Sequence, residues 1–279
     1  MYASERIKPN DLREDKRDLR PLHFETKRKK NNWPIPHKIN CDCKLTYTRK
    51  TGEWKLSWVH EKQRLIRETQ ADPRVVSIDP GVRTPFTWYS PTKGMGKIGE
   101  NDVGRLIRLC KHVDDLISEK DRLKSSTSKR KKKKASRVDR AIHRLRRKIT
   151  NLRDELHKKS ARFFTDEFDI IIIPPFEVSD MVNRKTRKIN RSSVRKMLCW
   201  SHRMFRQRLL SKAEETGADV IIQNEAYTSQ TCSGCGNLQR IGGSKIYRCR
   251  RCELVMDRDV NGARGIFLRA LLDGAVSLE

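Results

Sequence analysis

The stretch VVSIDPGVRTPFTWYS, residues 75–90, decides how the rest of the chain is read. Val75, Val76, Ser77 and Ile78 form a short, mostly apolar run of the kind that makes a buried strand. The run ends in Asp79, and Pro80-Gly81 turns the chain immediately after. A carboxylate at the tip of a core strand is rigidly held yet half out of the core, where it can bind a metal. Its plainer role is to help the turn. Residues 84–89 are extended again, so the stretch reads as a hairpin.

The chain around it has 279 residues, enough for one large domain or two small ones. Apolar and charged residues each make up 35%, so a modest core carries a heavily charged surface. Lys and Arg number 63 against 35 acids, a formal charge of +28 that calls for a polyanionic partner. No run of 18 apolar residues and no signal-peptide core is present, which favours nucleic acid over a membrane surface.

Residues 1–32 are polar and charged and read as a basic tail or remnant. Residues 39–47 and 54–59 are strand-like and are joined across Lys50-Thr51-Gly52-Glu53, a hairpin loop. Residues 93–99 read as a Gly-containing loop. Helical periodicity then begins with Val103, Leu106, Cys110, Val113 and Ile117, and continues in Val138, Ile142, Leu145, Ile149, Leu152 and Leu156. Two such stripes predict an antiparallel helical hairpin. Between Lys124 and Arg153 stand fourteen Lys/Arg and one acid, a one-sided balance that suits phosphate contact. Lys129, Arg130, Lys131, Arg144 and Arg147 are the candidate contacts there. A second basic segment, residues 184–208, has ten Lys/Arg and no acid, and adds Arg191, Arg195 and Arg203. Its helical part, from Ser192 to Gly217, points Val194, Leu198, Phe205 and Leu209 inward. The run DIIII, residues 169–173, is a central strand, and residues 218–223 form another with Glu225 just past its end.

Cys232-x2-Cys235 and Cys249-x2-Cys252 are separated by thirteen residues. Each pair sets two thiolates on one knuckle, and two facing knuckles make a sulfur cage suited to one structural zinc. Asp259 follows at the start of a helix through Ala263, Ile266, Phe267 and Leu271, where it also fits an N-cap. Asp79, Glu225 and Asp259, with Glu177 as runner-up, thus end strands or begin helices. Gathered together they would form an oxygen-ligand site for magnesium, with two ions expected, able to support phosphodiester cleavage.

The pieces IDPGVRTPFT, IIIIPPFE, NEAYTSQTCSGCG, the second CxxC and DRDVNGARGI, taken in order, resemble the TnpB/OrfB family of transposon-encoded RNA-guided nucleases, in particular its Fanzor-like branch. The resemblance implies an α/β fold: an RNase H-like (RuvC) core with a basic helical-hairpin insertion and an inserted four-cysteine zinc ribbon. It implies catalytic Asp79, Glu225 and Asp259, guide RNA and DNA as partners, and an intracellular site of action, in bacterial cytoplasm or eukaryotic nucleus. Glu225 is preferred because the position used by many members holds Pro174 here, and Glu177 lies past two prolines.

The implied domains are a partial wedge hairpin at 33–72, a nuclease domain at 73–272 and a tail at 273–279. Within the nuclease domain the helical hairpin is 103–161 and the ribbon 226–256. The family carries more chain ahead of its nuclease core than the 70 or so residues found here. Two rival readings follow: a truncated transposon product that binds nucleic acid without cutting, and a ribbon adaptor whose acids are only caps.

Overall fold

In the computed structural model the described residues are 3–7, 41–59, 65–67, 72–175, 178, 182–183 and 189–276. Glu177 lies outside them. The chain divides into two compact units, Met1–Lys62 with Glu119–Arg144 and Gln63–Ser118 with Leu145–Glu279.

In the first unit β2 (Cys43–Thr48) pairs antiparallel with β3 (Glu53–Trp58), with Gly52 at φ +69 in the connecting turn. A third strand, β1 (Ala3–Ile7), pairs antiparallel with β2. That strand falls where the sequence reads as a tail, because five residues of mixed polarity carry no period-2 signal strong enough to stand out. The unit also holds the end of α1 (Asp102–Lys124) and the start of α2 (Lys129–Glu167). Asp139 is held there by Lys120 at 3.3 Å and Lys50 at 3.4 Å, and Glu119 meets Lys134 at 2.9 Å.

The second unit is built on a five-stranded sheet of β4 (Val75–Pro80), β5 (Phe86–Ser90), β6 (Gly94–Ile98), β7 (Ile170–Ile173) and β8 (Asp219–Ile222). The strand order is β6-β5-β4-β7-β8. The first three strands are antiparallel neighbours, while β4, β7 and β8 run parallel. Parallel strands need covering on both faces, which is why VVSI and IIII are nearly continuous apolar runs.

Val76, Ile78, Ile171 and Ile173 face a cluster with Phe164, Phe205 and Leu209 from α2 and α4 (His202–Thr216). Val75 and Ile172 point the other way, onto Ile266, Phe267 and Ala270 of α5 (Arg258–Leu272). By the same alternation Ser77 and Asp79 belong to the α5 face, and Ser77 Oγ donates to Ala263 O at 2.7 Å.

Three local expectations change. Residues 94–98 form edge strand β6 rather than loop; Gly96 lies under Trp88, where a Cβ would be 2.6 Å from the indole. The basic helix breaks at Ser201, left-handed at φ 51, into α3 (Arg191–Trp200) and α4. That break rotates the inward face: Met197 and Trp200 are buried, and Leu198 is 56% exposed rather than inward.

Candidate functional site

Asp79 sits on β4 where the strand runs out against the start of α5. Along the α5 face Val75 packs on apolar side chains, Ser77 reaches a backbone carbonyl, and Asp79 meets Gly262. A Cβ on Gly262 would lie 2.5 Å from Asp79 Oδ2, so the helix comes this close only because the residue is glycine. Glycine inside a helix is otherwise unfavourable by about 1 kcal/mol against alanine. That cost is the sequence signal for this contact, and reading the sequence for acids alone misses it.

Asp259 stands in the first turn of α5. It is not the cap: Asp257 is, its Oδ1 accepting from Asp259 N at 2.9 Å and Val260 N at 3.3 Å. Lys97 Nζ holds the other Asp257 oxygen at 2.7 Å. This division leaves the Asp259 carboxylate uncommitted to capping. Glu225 follows β8, and its carbonyl accepts from Thr228 N at 3.1 Å and Thr228 Oγ1 at 2.9 Å.

Two of the three carboxylates bear on the third. Loss of water, then the charges of Asp259 and Glu225, push Asp79 up to about 8. Desolvation also raises Glu225, and desolvation with the Asp257 charge raises Asp259. Like charges brought together out of water hold protons until a cation replaces them. The donor set is all oxygen, which fits a hard divalent ion such as magnesium. Their oxygens do not form one tight group: among the described residues, the four cysteines alone bring three or more ligand atoms within 4.8 Å of one another.

Those cysteines are Cys232, Cys235, Cys249 and Cys252. Gly234 N and Arg251 N each donate to the sulfur two residues earlier at 3.4 Å, and Gly236, at φ +72, closes the first knuckle onto Cys232 O. The Sγ–Sγ distances of 3.6 Å for Cys232–Cys252 and Cys235–Cys249 match the edge of a zinc-sulfur tetrahedron, about 3.8 Å for bonds of about 2.3 Å. The quartet therefore fits zinc with every position taken. A short antiparallel pair, β9 (Ile246–Arg248) and β10 (Val255–Asp257), backs the second knuckle and leads directly into α5. Asn261, fully buried, ties ribbon to helix: its Oδ1 accepts from Ser233 N at 3.1 Å and its Nδ2 donates to Thr231 O at 2.9 Å.

The candidate phosphate contacts differ among themselves. Lys129, Arg130, Lys131, Arg144, Arg191 and Arg203 are exposed. Arg147 is half-buried, and Arg195 is committed to Asp114, 2.6 Å away. No helix among the described residues is long and apolar enough to cross a membrane.

Residues 202–266 match the family model described as Cas12f1-like, TNB domain. The chain is 32% identical over 239 residues to the putative transposase A625R of Paramecium bursaria Chlorella virus 1, covering 85% of this chain and 52% of that protein. It is 31% identical over 193 residues to the TnpB-like protein L79 of Acanthamoeba polyphaga mimivirus (68% and 36%). It is 27% identical over 240 residues to the putative RNA-guided DNA endonuclease InsQ of Escherichia coli K12 (80% and 55%). A cryo-EM structure of a CRISPR-Cas12f ternary complex shares the fold at a TM-score of 0.53 and 17% identity, over 81% of this chain and 44% of that one. The chain is thus similar to TnpB-like proteins and putative transposases along most of its length, and to a Cas12f1-like domain over residues 202–266. The chain spans about half the length, or less, of these relatives.

Proposed function

We propose that the chain is a transposon-associated, magnesium-dependent DNA endonuclease that works with a guide RNA. The β6-β5-β4-β7-β8 sheet is read as an RNase H-like (RuvC) core, with the α1–α2 hairpin and the cysteine ribbon as its insertions. Residues 73–272 then make the nuclease domain, behind a partial wedge hairpin. The observation that carries this reading is Asp79, a carboxylate packed on Gly262 and pushed to about 8 by burial and by its neighbours Asp259 and Glu225. A buried carboxylate that feels two further acids, in a chain of charge +28, is costly unless a cation is to be held there for work on a polyanion.

Asp79, Glu225 and Asp259 would hold the magnesium. When bound, the metal supplies an activated water and stabilises the leaving oxygen. The chain's own part is positioning. β4 and Gly262 fix Asp79, Asp257 takes the capping duty from Asp259, and Asn261 ties the ribbon to the same helix start. One structural zinc would sit in the ribbon. Lys129, Arg130, Lys131, Arg144, Arg147, Arg191 and Arg203 would hold phosphates of guide RNA or DNA; Arg195 contributes through its pairing with Asp114. Base pairing reads sequence in such complexes while protein holds the backbone. The site of action would be intracellular, wherever the DNA lies.

The test is cleavage of labelled DNA by the full chain, with and without co-purified RNA, in magnesium. Cutting that is abolished in Asp79→Ala supports the reading. Tight binding with no cutting under any condition supports the second reading, a nucleic-acid-binding product that does not cleave.

A further inference from the structure

The loop between β4 and β5 is held more firmly than a short connection needs. Gly81 N donates to Pro85 O at 3.2 Å, closing the loop on itself. Gly81 has no room for a side chain, since a Cβ would be 2.4 Å from Thr84 O. Two ring donors from the α3–α4 break grip the Gly81 and Val82 carbonyls. Trp200 Nε1 donates to Val82 O at 3.1 Å, and His202 Nε2 donates to Gly81 O at 3.1 Å. Both rings are buried, and burial keeps the His202 ring neutral, down at about 4. The left-handed Ser201 between them is itself fixed, accepting from Arg153 Nη1 at 3.1 Å.

The residue this clamped backbone presents is Arg83. It is exposed, and among the described residues it makes no hydrogen bond or ion pair. It stands four residues past Asp79, in the loop that leaves the tip of the same strand. A rigid backbone under a long guanidinium that is unpartnered among the described residues, four positions past Asp79, has no stabilising role in view. Guanidinium binds phosphate by two parallel charge-assisted hydrogen bonds.

We propose that Arg83 is a substrate-positioning residue that takes a phosphodiester of the nucleic acid lying against Asp79 and Asp259, with Trp200 and His202 as the clamp that aims it. The proposal rests on the nuclease reading for the identity of the ligand, a DNA strand. It needs no cleavage to be tested.

The test measures binding of a short labelled single-stranded DNA to the full chain in calcium, where cutting is not required. Arg83→Ala is expected to weaken binding about tenfold and to lower the salt slope by about 0.7, the share of one single-strand phosphate. Arg83→Lys should recover part of the affinity but not all. Trp200→Phe keeps a large aromatic ring but removes the donor. It should weaken binding in wild type and add nothing in Arg83→Ala, a non-additivity that a merely structural role would not give. Arg162→Ala, an exposed residue paired with Asp166 far along α2, is the control and should bind as wild type. Arg83→Ala binding within twofold of wild type, with an unchanged salt slope, would overturn the proposal. A wild type that binds but never cuts would sink the nuclease reading and leave the Arg83 result standing.

Discussion

Gly262 and Asp79 touch: α5 approaches β4 so closely that a Cβ at Gly262 would stand 2.5 Å from Asp79 Oδ2. The contact ties a residue with no chemistry of its own to the carboxylate at the centre of the site. Gly262→Ala should therefore act as an active-site variant. It gains helix propensity, up to about 1 kcal/mol, and loses about 1–3 kcal/mol to overpacking, so the melting temperature should change little or fall slightly. Cleavage should fall far more, roughly a hundredfold, because the carboxylate must shift by an ångström or so. A thermal melt beside a cleavage time course checks both halves.

Asn261 makes two hydrogen bonds in complete burial, to Ser233 N and Thr231 O. Asn261→Ala leaves an N–H and a carbonyl without partners. The expected cost is about 2–3 kcal/mol. The ribbon should keep its metal but lose its fixed register on α5, so zinc content should stay near that of wild type while cleavage drops. Loss of zinc in Asn261→Ala would mean that the tie supports the ribbon itself.

The four cysteines should carry one zinc per chain, measured by elemental analysis of metal against protein. Removing it with a strong chelator, or by Cys235→Ser, should unfold the ribbon. Its core is otherwise small: Tyr247 and Cys249 with Ile241, Leu254 and Met256. The sheet, with its own two-faced core, should survive, so near-native far-UV dichroism with lost zinc is the expected pattern.

Acid should loosen the sheet at one identifiable place. Asp169 accepts from Arg74 N at 3.0 Å and Arg74 Nε at 2.9 Å, and from Arg74 Nη2 and Arg67 Nη1 at 2.8 Å. The Arg74 hydrogen bond is the largest cause that holds its carboxyl down at about 2. A depressed carboxylate contributes stability that is present above the unfolded pKa of about 4 and lost as pH falls toward 2. The contribution is on the order of 1–2 kcal/mol. Denaturant melts between pH 5 and pH 2, in wild type and Asp169→Asn, should differ at the upper end (about pH 5) and converge at the lower (about pH 2).

The exposed lysines and arginines at 129–134, at the start of α2, should dominate the salt dependence of nucleic-acid binding. Neutralising that run should flatten the slope of log affinity against log salt by about 0.7–0.9 for each phosphate no longer engaged. A slope unchanged by the substitutions would remove the arm from the binding surface.

How much of this was legible beforehand varies with the physics involved. The strand that ends at Asp79 and the DIIII run appear where expected, because burial on both faces writes a continuous apolar run. The strand before Glu225 also appears where expected, although it is a half-exposed edge strand. The cysteine quartet was equally plain, because zinc geometry dictates ligand spacing. β6 was hidden, since its pairing uses backbone and its glycines carry no pattern. The break at Ser201 was hidden too: a single left-handed residue leaves the composition of two helices looking like one. The choice of Asp257 over Asp259 as cap turns on a two-residue offset that propensity does not resolve. The clamp on the Gly81 and Val82 carbonyls joins residues about 120 apart, a relationship that no local pattern carries.

The decisive experiment is magnesium-dependent cleavage of labelled DNA by the wild type, Asp79→Ala, Glu225→Ala and Asp259→Ala, each purified with whatever RNA it retains. Wild-type cutting should stop on chelation. It should fall by at least about a hundredfold in all three variants, while their DNA binding persists. Cutting that survives in Glu225→Ala would remove that residue from the site. Cutting that survives in Asp79→Ala would rule out the carboxylate cluster as the catalytic centre.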